Sequence, residues 1–167
     1  MSKNFTIFIG KRILPKRIIK KIQKNFIILL KNQLQNGTEI FCTSGAIGFE
    51  TAAATAVIRL RRKKRYRHIQ LVLLDFGHDQ GLYWNQRSRR TYEKIRQKAD
   101  RIVPVPGGDA ESDLDLYKRV LEKADAGACQ VCCLPDRRDG TAELVKLARQ
   151  KGCRILDIRE GIGKNGL

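Results

Sequence analysis

Acidic residues are scarce at the start of this chain. Residues 1–68 hold only Glu39 and Glu50 against 16 lysines and arginines, a net of +14, whereas residues 69–167 come close to balance at +3. An excess of that kind draws polyanions and makes any affinity for them fall with salt. Histidine is rarer still: His68 and His78 are the only two, and they do not form the H-x-x-x-H pair of a helical metal site. Neither lies near the cysteines, at 42, 129, 132, 133 and 153, so no metal is expected and these thiols read as small core residues. Cys129 and Cys132 have the spacing of a metal or redox pair, but on a strand residues three apart point to opposite faces. No apolar run approaches the ~20 residues of a membrane helix. The apolar piece near the N-terminus is too short for the core of a secretion signal. A cytoplasmic protein is the expectation. Internal repeats and low-complexity linkers are absent.

What remains is a chain of 167 residues, 42% of them hydrophobic, enough for one packed domain over residues 1–160 with a frayed tail at 161–167. Short apolar runs at 6–9, 39–43, 68–75, 101–105, 128–134 and 154–158 read as strands. Between them lie helical patterns. Ile18, Ile22, Phe26, Leu29 and Leu30 recur at helical spacing behind Pro15, interleaved with lysines. An alanine-rich helix follows over 46–60, and another over roughly 84–99. Ser112 is a plausible N-cap for a helix with Leu114, Tyr117, Val120 and Leu121 on its inner face; Leu144, Val145 and Ala148 mark the last helix. Strands alternating with helices predict an α/β fold, a mainly parallel central sheet covered on both faces.

Residues 40–50, IFCTSGAIGFE, combine a strand, a turn at Ser44 and Gly45, and the start of the alanine-rich helix with Gly48 in its first turn. Such a turn binds phosphate when free backbone N–H groups and the helix dipole point at the anion, although many carry glycine for packing alone. Two more loops fall at strand ends on the same rim: Gly10, Lys11 and Arg12, and Asp139, Gly140 and Thr141. Ligands of open α/β sheets bind on that rim. The candidate phosphate-binding residues are therefore Gly10, Lys11, Arg12, Ser44, Gly45, Gly48, Gly140 and Thr141. Separately, Arg59, Arg61, Arg62, Lys63, Lys64, Arg65 and Arg67 form a basic block that suits either nucleic acid or a solvated surface.

Taken in order, several segments resemble one family. They are Phe8 to Arg12, Ser44 to Glu50, Trp84 with Tyr92, Ile95, Ala99 and Asp100, Arg119 with Asp125, and Gly140 with Thr141. Together they resemble the YpsA-like branch of the SLOG superfamily over about residues 5–158. The resemblance implies a Rossmann-like three-layer α/β sandwich that binds a nucleotide or ADP-ribose-like ligand, with Arg119 as a further anion partner. The superfamily also includes cytokinin-activating phosphoribohydrolases and the DNA-processing protein DprA. Three expectations follow. The first is a nucleotide-derivative binding or sensing domain. The second is a hydrolase that frees the base of a nucleoside monophosphate, with Glu50 and Glu143 as its candidate carboxylates. The third is a nucleic-acid binder that uses the basic first half. A homo-oligomer is compatible with each. The chain departs from the family pattern at Asp139, which stands where a glycine is usual and puts a negative charge beside the phosphate site. Leu144 stands where the hydrolase pattern has its glutamate, with Glu143 one position early and so about 100° around the helix.

Overall fold

Six strands run parallel through the centre of a computed structural model that describes residues 3–77, 81–107 and 112–161. They are β1 (Phe5–Gly10), β2 (Ile40–Thr43), β3 (Gln70–Asp75), β4 (Arg101–Pro104), β5 (Cys129–Leu134) and β6 (Arg154–Asp157). Their order in the sheet is β4-β3-β2-β1-β5-β6. Helices α1 (Lys16–Gln35), α2 (Phe49–Arg61), α3 (Gln86–Lys98), α4 (Asp113–Lys123) and α5 (Thr141–Lys151) connect them, with short 3-10 turns at Lys64–Tyr66 and Ile158–Gly161. The expected α/β class and parallel sheet hold. The expected tail residues 162–167 lie outside the described residues.

The chain walks outward from β1 to β4, then returns through α4 to place β5 on the other side of β1. Right-handed crossovers in opposite directions put their helices on opposite faces. Accordingly α1, α2 and α3 share one core with Phe8, Phe41, Leu71 and Cys132, and α4 and α5 share the other with Ile7, Ile9, Val131 and Cys133. β1 is apolar on both faces because it lies between two cores. The amphipathic α1 buries Ile22, Phe26 and Leu30, four residues apart, and Phe26 meets Phe8 edge-on with ring centroids 5.8 Å apart. Ala52, Ala53 and Ala56 let α2 lie close against the sheet.

The cysteines behave as core residues. Cys129 and Cys132 belong to opposite cores, none of the five is paired, and burial pushes the thiols of Cys42 and Cys133 up to about 12. Among the described residues no cluster of His, Cys, Asp or Glu could hold a metal ion, and no helix is long and apolar enough to cross a membrane.

Most boundaries differ from the expectation by one or two residues, and the start of α2 differs by three. The alanine-rich helix begins at Phe49 rather than at 46, because Gly48 has φ +86° and ψ −122° and cannot continue a helix. That glycine ends the turn and lies outside the helix.

Candidate functional site

All strands are parallel, so every β-to-α loop opens on one rim. The sheet order reverses between β1 and β5, where such folds leave a crevice. A cleft of about 770 Å³ lies there, lined by residues of the β1–α1 and β5–α5 loops. Its basic side chains are Lys11, Arg12, Arg17, Arg138 and Arg159, and its acids are Asp136 and Asp139. Three of the arginines have acidic partners: Arg12 with Asp113 at 3.2 Å, Arg138 with Asp136 at 3.1 Å and Arg159 with Asp157 at 2.5 Å. The Arg138 guanidinium holds the Asp136 carboxyl below the usual carboxylate range. Lys11 and Arg17 form no side-chain ion pair among the described residues.

Asp139 sets its carboxylate between the β1–α1 loop and the start of α5. One carboxylate oxygen accepts from the Thr141 amide at 3.1 Å and the Thr141 hydroxyl at 2.7 Å, and the other accepts from the Arg12 amide at 3.2 Å. The Thr141 amide belongs to the first turn of α5, where N–H groups lack helical partners and the dipole favours negative charge. Asp139, one residue before the Gly140 N-cap, therefore satisfies the first amide of α5 and ties the first loop to the last across 127 residues of sequence. Thr141 also accepts from the Asp136 amide at 2.7 Å, which holds the loop in a closed turn.

The turn of residues 43–48 is closed on itself. The Gly45 amide donates to Thr43 Oγ1 at 3.0 Å and the Ala46 amide to Ser44 Oγ at 3.3 Å. The Phe49 amide donates to the Lys11 carbonyl at 2.9 Å. Beneath the turn, Glu50 is buried and its Oε1 accepts from Thr43 Oγ1 at 3.3 Å, the Ser44 amide at 3.0 Å, Ser44 Oγ at 2.8 Å and the Tyr117 hydroxyl. Burial raises the Glu50 carboxyl above its ordinary range, against the lowering effect of the hydrogen bonds from Tyr117 and Ser44 and of the Arg12 charge. Burial and the neighbouring Glu50 likewise push the Tyr117 phenol well above its ordinary value.

The structure brings together Gly10, Lys11, Arg12, Gly48, Gly140 and Thr141, as their positions at strand ends imply. Packing accounts for the glycines. A side chain at Gly10 would meet the Phe49 ring, one at Gly48 the carbonyls of Lys11 and Arg12, and one at Gly140 the Leu114 side chain. Arg119 does not line the cleft; it donates to the carbonyls of Pro106 and Gly107 at 3.0 and 2.6 Å. Glu50 and Glu143 are not brought together: one is buried under α4 and the other is exposed on α5. The basic block lies at the C-terminal end of α2, and therefore at the opposite end of the sheet from the rim. Within it Arg61 is committed to Asp100 and to the Lys98 carbonyl, and Arg65 lies 4.5 Å over the Tyr66 ring.

Sequence reasoning missed Tyr117 as a partner of Glu50. A phenol on the inner face of a helix needs a hydrogen-bond partner when buried, and an acid near the start of an alanine-rich helix was the one to consider. The Arg12–Asp113 pair left no comparable signal in the sequence.

The chain is similar to known proteins. A family model described as the YspA SLOG family, YpsA, matches residues 2–126. The UPF0398 protein BH1768 of Halalkalibacterium halodurans is 37% identical over 112 residues, which cover 65% of this chain and 58% of that protein. A solved structure of DNA processing protein A from Helicobacter pylori, described for its single-stranded DNA binding mode, superposes with a TM-score of 0.59 at 16% identity, covering 93% of this chain and 65% of that one. The chain thus spans less than two thirds of the length of each, and the second likeness is one of fold. The matched model takes in the β1–α1 loop, the Ser44–Gly48 turn and the Tyr117 that closes over Glu50, and the chain belongs to the YpsA family of SLOG proteins.

Proposed function

We propose that this protein binds a nucleotide or nucleotide derivative in the rim cleft, with phosphate near the amides of Arg12 and Thr141 and the Lys11 side chain. The observation that carries this reading is the position of a carboxylate, Asp139, on those two amides within a basic cleft at the β1/β5 reversal. A cleft of about 770 Å³ lies within the usual range for small-molecule sites. Thermal denaturation with AMP, ADP, ADP-ribose and the parent nucleosides tests it. A ligand that binds only the folded protein and is present at ~100 times its Kd adds about 2.7 kcal/mol, a Tm rise of roughly 5–10 °C. Phosphate-bearing compounds should give that rise, nucleosides should not, and Lys11→Glu should remove it. No shift with any phosphate compound overturns the reading.

A second reading, nucleic-acid binding, is favoured by a different observation. Arg62, Lys63, Lys64 and Arg67 are exposed and their side chains have no partners among the described residues. The similarly folded Helicobacter pylori protein binds single-stranded DNA.

A further inference from the structure

The outer surface of α1, α2 and α3 carries a second groove that meets the rim cleft at Ile47. α2 is rich in small residues and is recessed between its neighbours, so Thr51 and Thr55 form a floor. Lys16 and Lys20 of α1 stand on one side and Arg87 of α3 on the other, all three exposed, and among the described residues no acid lines the groove of about 450 Å³. The floor is neutral: the Thr51 hydroxyl donates to the Ala46 carbonyl and the Thr55 hydroxyl to the Thr51 carbonyl, each at 2.8 Å. Attraction therefore comes from the walls. The helices start at the same end of the sheet, and neither α1 nor α3 has an acid in its first turn to offset its positive pole. At the far end Arg59 reaches across to Gln23 at 3.4 Å, and beyond it lie the exposed cations Arg62, Lys63, Lys64 and Arg67 of the basic block.

We propose that this groove seats a single-stranded nucleic-acid backbone, held through its phosphates by Lys16, Lys20 and Arg87. The inference rests on the nucleic-acid reading and assigns it a location. The groove is one helix wide, and packed helices lie 8–10 Å apart, so a single strand can reach the floor while a duplex would touch only the edges. Among the described residues no aromatic ring lines it, so bases are not stacked and sequence is not distinguished.

Fluorescence anisotropy of labelled oligo-dT with the full chain, across a salt series, tests the proposal. Each phosphate neutralised on a single strand contributes about −0.7 to the slope of log K against log salt, so three wall cations contribute about −2. That is roughly a 20-fold loss of affinity from ~50 to ~200 mM salt. Lys16→Gln, Lys20→Gln and Arg87→Gln combined should remove that part of the slope, and Lys20→Gln alone about 0.7 of it. The block variant, with Arg62, Lys63, Lys64 and Arg67 changed to Gln, should keep it. All these positions are exposed, and circular dichroism verifies the fold of each variant. Loss of binding in the block variant with no change in the groove variant overturns the groove and leaves the nucleic-acid reading standing. No binding by the unaltered protein overturns both.

Discussion

Gly48→Ala should destabilise the protein by about 3–5 kcal/mol, a large part of the 5–15 kcal/mol that holds a typical domain together. Two costs add. At φ +86° and ψ −122° the backbone is in a region that glycine alone occupies readily. The new methyl would also press on two carbonyl oxygens, of Lys11 and Arg12, which are main-chain atoms and cannot swing aside as a flexible side chain would. Relief would require the β1–α1 loop to lift, breaking the Phe49 amide bond to Lys11 and pulling Arg12 from Asp139. Gly37→Ala is the control. Its φ is +83° but nothing lies within 4 Å of an added methyl, so it should cost only the conformational strain, about 1 kcal/mol. Urea denaturation of both variants separates the terms. Equal midpoints for the two would show that the contact with the first loop carries no energy.

Glu50→Ala should cost about 4 kcal/mol, and Glu50→Gln far less. Four donor groups converge on one carboxyl oxygen: the hydroxyls of Thr43, Ser44 and Tyr117 and the Ser44 amide. Alanine leaves them buried without their acceptor, whereas glutamine keeps an oxygen of similar reach. The pH dependence is distinctive. Burial keeps the folded carboxyl protonated where the unfolded chain has already released its proton, from about pH 4.3 upward. Folding takes up a proton in that window, so this group makes stability fall as pH rises, until the folded carboxyl itself ionises. Glu50→Gln should flatten that part of the profile. Identical profiles for the variant and the unaltered protein would mean that folding does not shift the Glu50 carboxyl, and a rise in stability with pH that the variant loses would mean that it is ionised in the folded state.

Much of this architecture is visible in the sequence because it rests on local patterns. The non-alternating run from Ile7 to Ile9 announces a strand buried on both sides, and the spacing of Ile22, Phe26 and Leu30 announces a helix lying on it. Parallel alternation then puts Lys11, Gly48 and Thr141 on one rim without any coordinates. The start of α2 was not legible, since the pattern of alanines does not reveal that Gly48 turns left-handed against a neighbouring loop. Nor were the contacts that define the site. Arg12 meets Asp139 and Tyr117 meets Glu50 across 127 and 67 residues, and such pairings depend on how loops close in space. The groove beside α2 was hidden for the same reason: its walls come from helices whose facing sides only the packing decides.

The carboxylate of Asp139 has a consequence for selectivity. On the proposed nucleotide reading it is a tethered rival, present at the Arg12 and Thr141 amides at the high effective concentration of any group on a short leash, so an incoming phosphate would have to outcompete a resident anion and not merely displace water. Inorganic phosphate has little with which to do so. A ligand that anchors its sugar or base elsewhere in the cleft can draw on that binding to dislodge the side chain, and the loop that Asp139 ties to the first strand would then be released only when the whole molecule is present.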